Sequence, residues 1–197
     1  MRKKEAEERQ LLLILDISRD IARRDPYTFD HQRQVADLAR AIAMEMGLSE
    51  ERVEGIRMAG LTHDIGKVSV SAEILCRPGP VTEAEYNMIK AHPQVGYDIL
   101  KTIEFPWPIA QIVFQHHERI DGSGYTAGLS DGDIILEARI LGVADVVGAM
   151  SARRPYRPAF GIDEVLEEVS KNRGVLYDSN AVDVCVRLFT EKGFEWK

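Results

Sequence analysis

Cysteine is scarce in this chain. Only Cys76 and Cys185 occur in 197 residues, and they form no spacing motif. That excludes a disulfide framework and a thiolate metal site, and leaves two reduced, structurally buried thiols as the expectation. Positive charge is also short: 25 Lys and Arg face 32 Asp and Glu, for a net charge of -7. Such a balance argues against a broad footprint for duplex nucleic acid or an anionic membrane, but permits a local basic pocket for a small phosphate ligand. Long apolar runs are missing, and no stretch reaches membrane-spanning length. The run Leu11 to Leu15 follows the mostly charged Met1 to Arg9 and is too short for the core of a signal peptide. A cytoplasmic location is therefore expected, for a whole protein or for a piece of a longer one. Internal repeats, low-complexity segments and strand-like alternation are absent as well.

What is present is an ordinary globular composition, 45% hydrophobic and 29% charged, in a chain long enough for one cored domain with or without an appendage. Helical periodicity dominates. Residues 3–23 read as one helix with Ile14, Ile17 and Ile21 on an apolar side, closed by Asp25-Pro26. It is expected to be core, a dimerisation element or a connector to an upstream sensor. A second helix runs from Asp30, a plausible N-cap, to Met46, with Gly47 as its stop. Its stripe of His31, Val35, Leu38 and Ile42 buries His31. Ser49 caps a third helix that delivers Val53, Ile56, Ala59 and Gly60 to His63 and Asp64. Residues 68–82 read as connective. Thr82 and Glu85 form a capping-box signature for a helix over 83–91. Helices over 94–103, 108–117, 133–150, 162–171 and 179–192 complete an all-α reading.

Chemistry concentrates at corners of this pattern. The five histidines, His31, His63, His92, His116 and His117, all fall at helix starts, ends or helix-loop junctions. Neutral imidazole and carboxylate together bind transition metals, and Lys67, three residues after Asp64, suits an anionic substrate. Successive helical residues diverge by about 100°, so His116 and His117, at a helix end, are expected to point at two nearby metals. Asp145 lies among Leu141, Val143, Ala144, Val146 and Val147. A carboxylate buried there needs metal ligation, which strengthens the metal reading, or else a salt bridge to an Arg such as Arg139.

These residues resemble the HD-GYP family, the cyclic-di-GMP phosphodiesterase branch of the HD-domain phosphohydrolases. The resemblance is carried by Asp25-Pro26-Tyr27-Thr28 with His31, by His63-Asp64-Ile65-Gly66-Lys67, and by Ile89-Lys90-Ala91-His92-Pro93. It continues through His116-His117-Glu118-Arg119, Asp121-Gly122-Ser123-Gly124-Tyr125, Val143-Ala144-Asp145-Val146 and Arg154-Pro155-Tyr156-Arg157. It implies an HD-domain helical bundle around a buried metal centre over residues 20–197, with residues 1–19 as an N-terminal helix or connector. By position, the implied ligands are His31, His63, Asp64, His92, His116, His117 and Asp145, with Asp64 bridging two metals. Lys67 is implied to meet the substrate phosphate, Gly124 and Tyr125 to flank the pocket, and Arg154 and Arg157, with Arg119 in support, to clamp the nucleotide. The implied activity is hydrolysis of cyclic di-GMP to linear pGpG and onward to GMP, with a metal-activated water as nucleophile. Iron or manganese, ahead of zinc, nickel or cobalt, would be the pair of divalent ions. A GGDEF-type or sensor partner through Gly122–Tyr125 and a homodimer through the N-terminal helix are further expectations.

Three departures from the family pattern stand out. Thr126 replaces the third-place Pro of the signature loop, which predicts a looser loop or altered partner contacts. Gly148 stands where an acid is common. Tyr27 occupies the position, four residues before His31, where three-metal members carry a Glu, so a dinuclear centre is expected. The competing readings are a non-catalytic cyclic-di-GMP receptor, which would have shed ligands, and an HD phosphohydrolase acting on dNTP or (p)ppGpp.

Overall fold

The computed structural model of the chain describes residues 14–18, 20, 28–77, 79–152 and 159–196. From residue 28 onward, nine α-helices follow in order among the described residues: α1 (Thr28–Glu45), α2 (Glu50–Thr62), α3 (Ala72–Leu75), α4 (Glu83–Lys90), α5 (His92–Leu100), α6 (Ile109–Gln115), α7 (Leu136–Ser151), α8 (Ile162–Lys171) and α9 (Ser179–Thr190). Short 3-10 turns span Ile65–Ser69 and Asp131–Asp133. The only β feature among the described residues is an isolated bridge between Arg173 and Tyr177. The all-α expectation holds.

Helix ends obey the local chemistry. The Ser49 hydroxyl accepts from the Arg52 amide at the start of α2. At α4 the Thr82 hydroxyl accepts from the Glu85 amide while the Glu85 carboxylate accepts from Thr82, so two otherwise orphaned donors are satisfied. Gly47 ends α1 with φ 77°, a backbone state that glycine adopts without a Cβ penalty. Asp30, expected as the N-cap of α1, instead lies within its first turn, since the helix begins at Thr28. The stretch expected to be purely connective holds the single-turn α3, none of whose residues is buried.

α7 is the centre of the molecule. It is buried on nearly all sides, with Ala138, Ile140, Leu141, Val143, Ala144 and Val147 each at most 1% exposed, as expected for a helix that is apolar all round. α1 packs most extensively on α2 and next on α7, through Val35, Leu38 and Ile42, the stripe that also carries His31. The Gln115 side chain joins the end of α6 to the start of α7: its amide donates to the Asp133 carbonyl and accepts from the Ile135 amide. Cys185 is buried and Cys76 exposed, so only one thiol is structural.

Of the expected helix over 3–23, residues 14–18 and 20 are described, and they are helical. Ile14 is buried, and the Ser18 hydroxyl donates to the Leu61 carbonyl at 3.0 Å. Ile17 is 43% exposed. The face turned inward is thus Ile14 and Ser18, one turn apart, and not the Ile14-Ile17 stripe. No helix among the described residues is long and apolar enough to cross a membrane.

Candidate metal centre

Five structural positions converge on one point: the first turn of α1 (His31), the end of α2 (His63 and Asp64), the start of α5 (His92), the end of α6 (His116 and His117) and the middle of α7 (Asp145). His63, Asp64, His92 and His116 are each at most 2% exposed. The approach of α5 to the turn after Asp64 requires glycine: a Cβ on Gly66 would lie 1.9 Å from the His92 carbonyl oxygen. That contact holds His92 beside Asp64.

Three imidazoles are oriented in the same way. Nδ1 of His63 donates to the Gly60 carbonyl, that of His92 to Ile89 and that of His116 to Val113, at 2.8, 2.8 and 2.6 Å. Each bond holds the proton on Nδ1 and leaves an Nε2 lone pair for the interior. Yet Nε2 of His92 and Nε2 of His116 are 3.4 Å apart. Two neutral imidazoles so arranged face each other with acceptors only. A proton does not resolve this near neutrality, because burial pushes the His92 pKa down to about 4 and that of His116 to about 3. A shared cation does, and the donor set therefore fits a metal.

The carboxylates complete the set. Asp64 lies 3.5 Å from Nε2 of His63 and 3.4 Å from Nε2 of His92, and accepts from Lys67 Nζ at 2.7 Å. Burial opposes its ionisation, but Lys67 and the surrounding histidines hold it well below the usual carboxylate range. Asp145 lies 3.0 Å from His31, 3.7 Å from His63 and 3.7 Å from Nδ1 of His117. Burial opposes its ionisation too, and the His31 hydrogen bond, helped by His117 and His63, keeps it low. Both acids are thus ionised, and both span the two groups of metal-capable donors, His31-His63-Asp64 and His92-His116-His117. The family resemblance implies a bridging role for Asp64 alone; Asp145 likewise lies within 3.7 Å of donors from both groups.

Several expectations are corrected. Arg139 does not pair with Asp145; it pairs with Asp131 and Asp178 and donates to the Ile134 carbonyl, tying α7 to the N-cap of α9. At the helix end after Gln115, the His116 and His117 rings lie 4.0 Å apart at 38°; His116 Nε2 faces His92, and His117 Nδ1 lies 3.7 Å from Asp145. Arg119 lies 5.3 Å over the Tyr177 ring and donates to the Glu118 carbonyl. Gly148 is tolerated because α1 passes close by: a Cβ there would meet Val35 Cγ2 at 2.9 Å and His31 Nδ1 at 3.4 Å. In consequence His31 Nδ1 is buried without a partner among the described residues, unlike its three counterparts. Asp30 is exposed, while Asp25, Tyr27, Arg154 and Arg157 lie outside the described residues.

Sequence reasoning missed the device that holds the signature loop. The buried Glu118 carboxylate accepts from the Ala127 and Leu129 amides at 2.7 and 3.0 Å, and the Tyr125 amide donates to the His117 carbonyl. A Cβ on Gly124 would lie 2.5 Å from Glu118 Cα, so only glycine lets the loop close this tightly. The Tyr125 ring stacks on His117 at 4.7 Å, and burial raises its phenol pKa far above normal. The loop is clamped despite Thr126. An irregular, half-buried loop must find acceptors for its amides, which was the available hint that a nearby acid would serve.

A family description matches the chain over residues 17–181, and it reads "HD domain". The chain belongs to the HD domain family. This HD domain chain is 40% identical over 185 residues to the cyclic di-GMP phosphodiesterase response regulator RpfG of Xanthomonas campestris pv. campestris, covering 93% of this chain and 49% of that protein. It is 39% identical over 165 residues to 3'3'-cGAMP-specific phosphodiesterase 1 of Vibrio cholerae, covering 82% of this chain and 38% of that one. The chain thus spans half or less of the length of these relatives. Its fold matches Bd1817, an HDG"Y"P protein from Bdellovibrio bacteriovorus, with a TM-score of 0.67 at 17% identity, over 81% of this chain and 51% of the other. The match is one of fold.

Proposed function

We propose that this HD domain hydrolyses cyclic di-GMP to linear pGpG, with GMP the product of a second cut, and that residues 20–197 form the catalytic unit. The observation that carries the proposal is the pair of opposed Nε2 atoms of His92 and His116, 3.4 Å apart and each held by a carbonyl behind it, within a set of seven metal-capable side chains. His31, His63, Asp64, His92, His116, His117 and Asp145 would hold two divalent ions, iron or manganese ahead of zinc, nickel or cobalt. Bound there, the metals supply an activated water and Lewis acidity toward the phosphoryl oxygens. Lys67, beside Asp64, neutralises charge on the same oxygens as it develops. Tyr125 and Gly124 form the wall beside His117, and the protonated Tyr125 phenol is a donor for the ligand.

The RpfG similarity supports cyclic di-GMP, and the relative specific for 3'3'-cGAMP favours a second reading, the mixed cyclic dinucleotide. Elemental analysis, combined with turnover assays on cyclic di-GMP, 3'3'-cGAMP, dNTP and (p)ppGpp, separates these readings from a receptor. Bound metal with turnover of cyclic di-GMP is expected. Binding without turnover in the metal-loaded protein would refute the enzyme assignment.

A dinuclear centre is expected, because the donors fall into two groups and the exposed Asp30 cannot supply a third. An anomalous difference map should show two fully occupied peaks; a third, bound through Tyr27, Asp25 or Asp30, would overturn this. For the nucleotide clamp, Arg154→Ala and Arg157→Ala should each raise KM by the equivalent of about 1.5–3 kcal/mol without metal loss. Unchanged KM in both variants would put the basic loop in solvent. A GGDEF-type or sensor partner at Gly122–Tyr125 would meet the exposed Ser123 and the exposed Asp121 just before it, because Tyr125 itself is turned onto His117. A homodimer through the N-terminal helix would use the exposed Ile17 face.

A further inference from the structure

Lys90 is the last residue of α4, two positions before His92. Its ammonium lies 4.7 Å from the centroid of the Tyr86 ring, one turn earlier on the same helix, and 5.3 Å from the centroid of Tyr125 in the signature loop. Tyr125 in turn stacks on His117. A continuous path therefore runs outward from the candidate metal centre: His117, Tyr125, Lys90, then Tyr86, whose side is open to solvent at 45% exposure. Several cations of the described residues are paired with acids, Lys67 with Asp64, Lys101 with Asp98 and Arg77 with Glu85. Lys90 has aromatic faces in that place. Aromatic faces hold an ammonium in position without cancelling its charge, and leave its N–H donors unspent.

Such a cation, half-buried and fixed one ring outside the metal centre, is suited to an anion that does not itself sit on the metals. A cyclic dinucleotide carries that anion. Its two phosphodiesters belong to one macrocycle, so when one occupies the centre beside Lys67 the other must lie toward the rim. The open Tyr86 face beside Lys90 offers a stacking surface for an attached purine. Resting on the phosphodiesterase reading above, we infer that Lys90, braced by Tyr86 and Tyr125, binds the non-scissile phosphate of the cyclic dinucleotide and so sets the preference for a two-phosphate substrate over a simple diester.

The test uses the full, metal-loaded chain with Lys90→Met, which keeps the apolar stem, and Lys90→Arg, which keeps the charge. KM and kcat are measured for cyclic di-GMP and for bis(p-nitrophenyl) phosphate, a diester with one phosphate, together with binding of cyclic di-GMP by calorimetry and metal content. In Lys90→Met the ratio of kcat/KM for cyclic di-GMP to that for the simple diester should fall roughly tenfold to a hundredfold, through KM. Lys90→Arg should recover most of it. If wild-type protein turns over cyclic di-GMP and Lys90→Met has the same KM, the inference fails and the phosphodiesterase reading stands. Equal losses on both substrates would also overturn it, making Lys90 a brace for Tyr125 only. If the wild-type chain neither binds nor cleaves any cyclic dinucleotide, both fall together.

Discussion

Replacing Asp64 with alanine is expected to lower hydrolysis at least about a thousandfold, the equivalent of about 4 kcal/mol, and to cut metal content, while helical content by circular dichroism stays near wild type. Its carboxylate touches both donor groups, at 3.5 Å from His63 and 3.4 Å from His92. It is also the partner of Lys67. Removing it therefore unlinks the two groups and frees the Lys67 ammonium beside them. The helices do not depend on it, since Asp64 lies in the turn after α2 and makes no helix cap bond. Asp64→Asn keeps the shape but loses the charge, and should fail nearly as completely. Retained turnover in Asp64→Ala, with metals supplied, would remove the site assignment.

Gly66→Ala is expected to cost about 3 kcal/mol or more of stability, at or beyond the upper end of ordinary overpacking, and to lower the melting temperature by roughly 6–12 °C. The new methyl would stand 1.9 Å from the His92 carbonyl oxygen and 2.6 Å from the Gly96 amide nitrogen. Both are backbone atoms, so no rotamer change relieves the clash and α5 must move away from the turn after Asp64. His92 moves with it. Metal affinity should fall along with stability, and thermal melts with and without added metal read both effects. A variant that melts within a degree of wild type and keeps its metal would show that this packing has slack.

Much of the fold was legible in the chain because its signals are local. The capping box of Thr82 and Glu85, the cap at Ser49, the glycine stop at Gly47 and the stripe of Val35, Leu38 and Ile42 depend on neighbours within a turn or two, and each appears in the structure where it was read. The N-terminal stripe was misread at Ile17 for the same reason: Ile14 and Ile17 are equally apolar, and only the position of Leu61 reveals that Ile14 and Ser18 face inward; Ile21 lies outside the described residues.

By itself, the sequence determined which atoms are available for the chemistry: imidazoles and carboxylates without thiolates, a Lys three residues after Asp64, and glycines at the tight corners. It also determined that Asp145 had to be compensated, since a charge within an apolar helix cannot stand alone. Tertiary structure decided what compensates it. Arg139, six residues away in sequence, is turned outward to Asp131 and Asp178, and His31, more than a hundred residues away, is turned inward to Asp145. The opposed Nε2 atoms of His92 and His116, the Glu118 clamp on the signature loop and the seat of Lys90 between two rings are likewise products of packing. Each depends on at least one group from a separate element, and such groups meet only when burial of the apolar faces of α1, α2, α5, α6 and α7 has set where the helix ends lie.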